Sequence, residues 1–214
     1  WGIFSYVTLD RWCVIVYNNR HMDIYKLFPT LLGISKDPNH NDSLVERCLQ
    51  IEKSVESGST NWVSKDTYST LGSHDIVKDK DFAPVNDFVV KSVKEFCNAT
   101  KVDFNKIVDT QGWFNIYRKG DYQEYHSHNP YLLSAIYYLK TPKEGGSKLH
   151  LKNPFDDMIS PNYTENNTDN ARSTVIQPED GMFIIFRSHL QHCVEKHMDD
   201  EPRISLAYNF SYNA

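Results

Sequence analysis

The spacing of apolar residues in this chain changes near residue 105, from the period of a helix to the alternation of a strand. Two stretches have helical period, residues 42–57 and residues 84–99. Later stretches alternate apolar and polar residues, most regularly over residues 203–210. Helices followed by a run of strands predict a mainly β fold with flanking N-terminal helices, a double-stranded β-helix or jelly roll.

A length of 214 residues favours one domain, which we place at residues 23–214. Its helical part covers 40–100 and its jelly-roll core covers 105–214. Residues 1–22 are apolar and aromatic, and we interpret them as a leader from a different start codon, an extra strand or sequence foreign to the natural protein.

Two polar stretches are predicted to be loops. Residues 58–81 are expected to form a loop with Trp62 as a buried anchor. Residues 153–177 form a long connection rich in Asn, Asp, Thr and Pro. Connections of this length are either functional lids or solvated insertions, and both interpretations stay open.

Charge and cysteine content exclude several classes of protein. Lys and Arg number 23 against 28 Asp and Glu, a net charge of −5, so no nucleic-acid partner is indicated. No stretch is long and apolar enough to span a membrane. Cys13, Cys48, Cys97 and Cys193 lie far apart without CxxC spacing, which excludes a zinc ribbon and favours reduced thiols in a cytoplasmic protein.

Histidines form the strongest candidate site. His126 and His128 lie two residues apart on an extended segment, so their side chains should point to one face. A third histidine after the apolar strand 183–186 would complete a facial set of three ligands, which leaves half of an octahedral iron open. His192 is preferred over His189 because it directly precedes the next expected strand. Zinc and copper sites use the same His-x-His spacing.

Arg203 begins the alternating strand and is followed two residues later by Ser205. Arginine presents a rigid fork of donors that suits a carboxylate, although an ordinary strand arginine would have the same pattern. Together with the three histidines, it favours a non-haem Fe(II) oxygenase that uses 2-oxoglutarate.

These segments, in this order, resemble the Fe(II)/2-oxoglutarate-dependent dioxygenases, in particular a prolyl-hydroxylase-like branch found in marine bacteria and phages. The resemblance covers roughly residues 24–212. The motifs that carry it are His126-Ser127-His128, Ile136-Tyr137-Tyr138-Leu139, Gly145-Gly146, Phe183–Phe186 with His192-Cys193-Val194, and Arg203-Ile204-Ser205.

The resemblance implies a function and a set of site residues. It implies Fe(II), 2-oxoglutarate and O2 as cofactors, with succinate and CO2 released as a protein side chain, such as a prolyl group, or a small molecule is hydroxylated. It implies an enzyme acting inside a cell, or inside the host cell if it is phage-encoded. The implied iron ligands are His126 and His192, and the implied 2-oxoglutarate contacts are Arg203, Ser205, Tyr138, Tyr117 and Asn115, with no catalytic group beyond the metal.

The chain departs from the family at His128, where an aspartate is usual. Either His128 is the third ligand, which we prefer, or it turns away and another group fills that position. Two other functions stay open: a three-histidine cupin-type dioxygenase without 2-oxoglutarate, and a catalytically silent jelly-roll metal-binding module. Arg203-Ile204-Ser205 argues against the cupin type.

Overall fold

The computed structural model describes residues 7–9, 12–14, 22, 24, 26–40, 42–59, 62–143, 146–155 and 161–213, without the side chains of 7–9, 12–14 and 109. Two compact units are present, residues 1–30 and residues 31–214. In the first unit, β1 (Val7–Leu9) pairs with β2 (Trp12–Val14) in antiparallel fashion. The origin of residues 1–22 and the proposed domain limits stay predictions.

The second unit has helices near its start and strands through most of the rest. Its described α-helices are α1 (Ser43–Glu52) and α2 (Ala83–Thr100). Its strands are β3 (Leu32–Lys36), β4 (Tyr68–Ser69), β5 (Ile107–Tyr117), β6 (Gln123–His126), β7 (Leu133–Lys140), β8 (Leu149–Lys152), β9 (Ser173–Ile176), β10 (Met182–Arg187), β11 (His192–Val194) and β12 (Arg203–Tyr212). The prediction of a mainly β chain with N-terminal helices is confirmed.

The strands form two antiparallel sheets. The larger sheet has the order β3-β10-β7-β12-β5-β4, and the smaller one has the order β6-β11-β8-β9. An apolar cluster between the sheets joins Tyr138 and Phe186 of the larger sheet to Leu149 and Leu151 of the smaller one. The outer face of the larger sheet packs in a second cluster with α1 and α2. The larger sheet is therefore covered on both faces.

Strand β12 shows how the alternating sequence decides which residues reach the cavity between the sheets. Ile204, Leu206, Tyr208 and Phe210 belong to the cluster with the helices. Arg203, Ser205, Ala207 and Asn209 line the cavity on the opposite face. Successive side chains of a strand point to opposite faces, so the period of two delivers the polar groups of Arg203, Ser205 and Asn209 to the interior.

Helix α2 covers the outer face with a stripe of buried residues, Val85, Val89, Val93 and Phe96. Their spacing of three or four residues places them on one side of the helix. The helix ends at Lys101, whose φ of 59° is left-handed. None of the helices in the described ranges is long and apolar enough to cross a membrane.

Several predicted loop features differ in the structure. Trp62 is half-buried at the edge of the cavity, so the buried-anchor prediction is wrong. Strand β4 lies within the predicted loop 58–81, and β9 lies within the connection 153–177 because the edge of β8 offers it a partner. Residues 156–160 and Gly145 lie outside the described residues, so the nature of that connection and the Gly-Gly turn stay predictions.

Candidate metal centre

Strand pairing brings the histidines together. His126 ends β6 and lies directly opposite His192, the first residue of β11. His128 follows β6 in a loop, where its backbone N–H donates to Ser188 O at 2.8 Å. One potential ligand atom from each of the three histidines lies within 4.8 Å of the others. His128 therefore reaches the cluster from a loop and not from the strand face that the spacing predicts.

Hydrogen bonds fix the tautomers of two of these rings. Nδ1–H of His126 donates to Glu124 O at 2.8 Å, and Nδ1–H of His192 donates to Leu190 O at 3.0 Å. Each ring therefore carries its proton on Nδ1 and directs the Nε2 lone pair away from that bond. Histidines that bind metals are oriented in the same way by a hydrogen bond to the other ring nitrogen.

Burial keeps these rings neutral. It lowers the pKa of His126, and it lowers the pKa of His128 to about 4, with a smaller contribution from His126. The pKa of His192 is also well below its ordinary value, first because of burial and then because of the other two histidines. Neutral imidazoles with free lone pairs are the form that binds a metal.

Asn209 contacts His128 from the cavity face of β12. Its Nδ2 lies 3.3 Å from His128 Nδ1, and its Oδ1 accepts a hydrogen bond from Ser134 Oγ at 2.9 Å. The hydroxyls of Ser134 and Ser188 are 2.8 Å apart. With the amide donating to Nδ1, His128 carries its proton on Nε2, which lies 3.3 Å from His192 Nε2.

Arg203 carries a buried charge in the same cavity. It is 1% exposed, and its Cζ lies 4.8 Å from the ring centroid of Tyr117 and 5.1 Å from that of Tyr138. Its Nε and Nη1 have no hydrogen-bond partner within the described ranges, and no carboxylate there forms an ion pair with it. Removing a charge from water costs several kcal/mol unless it is paired, so an anion bound in the cavity would stabilise this guanidinium.

The predicted cosubstrate residues lie on three neighbouring strands. In the register of the larger sheet, Tyr117 is opposite Arg203, while Asn115 and Tyr138 flank Ser205 on either side. Tyr138 Oη and Asn115 Oδ1 are buried and have no hydrogen-bond partner among the residues described. The hydroxyl of Tyr117 donates to Gln123 Oε1 at 3.0 Å, so it is already bonded within the protein.

Burial dominates the titration of these tyrosines. It raises the pKa of Tyr117 to about 12 despite the opposing charge of Arg203, and it also raises the pKa of Tyr138. Both phenols therefore stay neutral and do not compensate the positive charge of the Arg203 guanidinium.

The histidine cluster and Arg203 face one cavity of about 270 Å³. This volume is slightly below the range of about 300–1,000 Å³ typical of pockets for drug-sized ligands, which suits a small molecule. The histidines, Arg203, Ser205, Asn115 and Tyr117 line the cavity, and Tyr138 is not among the residues that line it.

Sequence reasoning was incomplete for other polar residues. His189 is exposed and does not line the cavity. His40, His74, His150 and His197 each form at least one hydrogen bond through a ring nitrogen, and His21 lies outside the described residues. Asn209 was missed as a contact of His128, although its place on the Arg203 face of the alternating strand was a signal.

Comparison with known proteins gives one family match and several structural likenesses. Residues 111–209 match the family described as "Putative 2OG-Fe(II) oxygenase". A prolyl-4-hydroxylase from Pseudomonas putida has 14% identity and a TM-score of 0.59, over 85% of this chain and 94% of its own. No curated protein matches in sequence.

A prolyl hydroxylase from Trichoplax adhaerens, in complex with a peptide fragment of the hypoxia inducible factor oxygen degradation domain, is a second structural likeness. It has 15% identity and a TM-score of 0.58, over 85% of this chain and 83% of its own. At these identities the two likenesses show the fold, and they confirm the predicted double-stranded β-helix.

Proposed function

Residues 111–209 belong to the 2-oxoglutarate- and Fe(II)-dependent oxygenases, as predicted, and from this premise we propose that His126, His128 and His192 hold the iron while Arg203 binds 2-oxoglutarate. Ser205, Asn115, Tyr117 and Tyr138 are proposed to complete the cosubstrate pocket. The origin of the chain in marine bacteria or phages stays a prediction.

The unpaired guanidinium of Arg203 carries this proposal. A structural metal site between two sheets would not require a buried, unpaired cation in the same cavity, whereas a dicarboxylate bound beside the metal supplies the missing anion. Arginine forms strong charge-assisted hydrogen bonds to carboxylates, and Nε and Nη1 are both free to donate one among the described groups. This observation also disfavours the cupin-type and catalytically silent alternatives.

The residues of the cavity have distinct roles. The iron and 2-oxoglutarate, when bound, supply the oxidation of the substrate by O2 with release of succinate and CO2. His126 and His192 present lone pairs fixed by their backbone hydrogen bonds. The rings of Tyr117 and Tyr138 hold the guanidinium in place, and their burial excludes water from its charge.

We propose a protein or peptide side chain as the substrate, which is one of the two substrate classes, beside a small molecule, that the family resemblance implies. The Trichoplax adhaerens likeness holds a peptide. In this chain, half-buried Trp62 and Leu71 border the cavity beside Glu124. The side chains of Trp62 and Leu71 give the cavity apolar surface on which a peptide chain can pack. Mass spectrometry of a peptide library after incubation would reveal the side chain that gains one oxygen. A library in which no peptide gains oxygen would contradict a peptide substrate.

Anaerobic titration with Fe(II) and then 2-oxoglutarate tests the function as a whole. Chelation of a ligand-held iron by 2-oxoglutarate should produce a visible charge-transfer band, and O2 consumption should require 2-oxoglutarate. O2 consumption without 2-oxoglutarate would favour the cupin type, and iron binding with no band would favour the silent module.

Asn209 should control the metal affinity of His128. Ligation through Nε2 requires the His128 proton on Nδ1, so the Asn209 amide has to turn and accept it through Oδ1. We expect Asn209→Asp to retain metal affinity, because a carboxylate accepts that proton. We expect Asn209→Leu to lower the metal affinity by about 10- to 100-fold, the usual effect of removing the hydrogen-bond partner of a ligating histidine. Metal titration of both variants measures the difference.

The control is Gln111→Leu, because Gln111 lies opposite Asn209 in the sheet and does not line the cavity. Its metal affinity should stay unchanged. Equal losses in Asn209→Asp and Asn209→Leu would mean that Asn209 only packs against His128, and nitrogen NMR of the His128 ring would then show no tautomer change on metal binding.

The iron affinity should fall at a more acidic pH than it would if the ligands were exposed histidines. An unperturbed histidine titrates near pH ~6.5. The folded-state pKa of His128 is about 4, and those of His126 and His192 are also lowered. Protons therefore compete with the metal only at acidic pH, and affinity should be nearly constant from pH ~8 to ~6 and fall toward pH ~4.

The same lowered pKa values affect the stability of the metal-free protein. Between the pKa of the unfolded chain and that of the folded histidines, only the unfolded chain takes up protons. The free energy of unfolding should therefore decrease as the pH falls from ~6.5 to ~4. Denaturant titrations across this pH range measure the free energy of unfolding.

For the metal-affinity prediction, a loss of iron affinity with its midpoint near pH ~6.5 would contradict the burial of the histidine cluster.

A further inference from the structure

A second cluster of metal-ligand residues lies beyond the opposite face of the larger sheet. Tyr137 and Tyr138 are consecutive on β7 and therefore point to opposite faces. Tyr138 packs between the two sheets beside Arg203, whereas Tyr137 packs in the cluster with the helices. His40 hydrogen-bonds to Tyr137, so this cluster is separate from the histidine cluster between the sheets.

Hydrogen bonds fix the orientation of His40. The hydroxyl of Tyr137 donates to Asp37 Oδ2 at 3.1 Å. Its proton is thus engaged, and its oxygen accepts from His40 Nδ1 at 2.8 Å. His40 is therefore the tautomer with its proton on Nδ1 and a lone pair on Nε2.

The free nitrogen of His40 faces two carboxylates. Its Nε2 is buried, has no hydrogen-bond partner in the described part of the chain, and lies 3.5 Å from Asp42 Oδ1. Ligand atoms of His40, Asp42 and Asp180 all lie within 4.8 Å of one another. A lone pair facing two anionic groups is repulsive, and either a bound metal cation or a proton on Nε2 would relieve this repulsion.

Both carboxylates are positioned for such a cation. Asp180 Oδ1 accepts from the backbone N–H and the hydroxyl of Thr141 at 2.6 and 2.7 Å, which orients the carboxylate and engages only one of its oxygens in these bonds. Asp42 occupies the N-cap position of α1, yet its side chain makes no capping hydrogen bond there. Aspartate at this position normally accepts from the first turn of the helix, so the Asp42 side chain has another orientation.

We propose that His40, Asp42 and Asp180 bind a divalent zinc ion. One imidazole nitrogen and two carboxylate oxygens are ligands that Zn²⁺ accepts, and a water molecule can fill the fourth tetrahedral position. Asp42 has a side chain that is 79% exposed, which gives the ion access from solvent. The ion would tie the segment between β3 and α1 to the turn that precedes β10.

Zinc titration of metal-free protein by calorimetry tests the proposal. His126→Ala serves as the parent, so that the histidine cluster does not contribute, and it should bind one Zn²⁺. The second variant adds Asp180→Asn to this parent. Asparagine keeps a side-chain oxygen that can accept the hydrogen bonds of Thr141, but it removes the charged ligand. We expect the zinc dissociation constant to rise by at least ~10-fold, since even the loss of an indirect partner costs about 10- to 100-fold.

Asp87→Asn on the same parent is the matched control, because it removes one charge near His40 without touching the ligand set, and its zinc affinity should be unchanged. Zinc should raise the melting temperature of the parent and of the control but not that of the Asp180→Asn variant. Near-ultraviolet circular dichroism verifies that all three proteins are folded.

Equal zinc affinity in the parent and in Asp180→Asn, or no zinc binding by the parent, would overturn the proposal. His40 would then be protonated and paired directly with Asp42. Failure of the oxygenase site has a different signature: wild type and His126→Ala would bind the same number of zinc ions, whatever the result at Asp180.

Discussion

His192→Ala should abolish stoichiometric iron binding. His192 is 3% exposed and lies opposite His126, so alanine removes one of three converging ligands and no described neighbour in the ligand cluster replaces it. The two remaining imidazoles would hold Fe(II) weakly, and the charge-transfer band with 2-oxoglutarate should disappear. Iron analysis after anaerobic loading and desalting measures the stoichiometry.

His189→Ala is the matched control, because His189 lies three residues earlier and its side chain is exposed. It should retain the iron content and the band of the wild type. His192→Ala creates space in the core, so circular dichroism should first show that it is folded. Stoichiometric iron in the folded variant would exclude His192 as a ligand.

Arg203→Met should retain iron but bind 2-oxoglutarate far more weakly. Truncating one partner of a buried charge pair costs about 2–5 kcal/mol, which corresponds to roughly 30-fold to several thousandfold in affinity. Methionine keeps much of the side-chain volume between the rings of Tyr117 and Tyr138. Titration of the iron-loaded variant with 2-oxoglutarate, followed through the charge-transfer band, gives the dissociation constant.

The same substitution should affect stability in the opposite direction. Without an anion, the wild type buries an unpaired guanidinium, so Arg203→Met should leave the cosubstrate-free protein as stable as the wild type or more stable. Arg118→Ala is the charge-matched control, since Arg118 pairs with Glu52 on the surface and does not line the cavity. Equal 2-oxoglutarate affinity in Arg203→Met and the wild type would mean that Arg203 does not bind the cosubstrate.

The repeating pattern of the sequence was sufficient for the architecture and for much of the candidate site. Alternation along residues 203–210 assigned Arg203 and Ser205 to one face, because the period of a strand is local and does not depend on its partners. The order of His126, His192 and Arg203 along the chain led to the family whose model matches residues 111–209, and the helical period located α1 and α2.

Only the tertiary structure decided how distant residues meet. The pairing of β6 with β11 placed His126 opposite His192, and the register of β12 with β5 and β7 surrounded Arg203 and Ser205 with Tyr117, Asn115 and Tyr138. The contact between Asn209 and His128 and the meeting of His40 with Asp180 were also decided at this level. Spacing in sequence fixes the face of a strand, but strand register and loop course depend on packing across the whole chain.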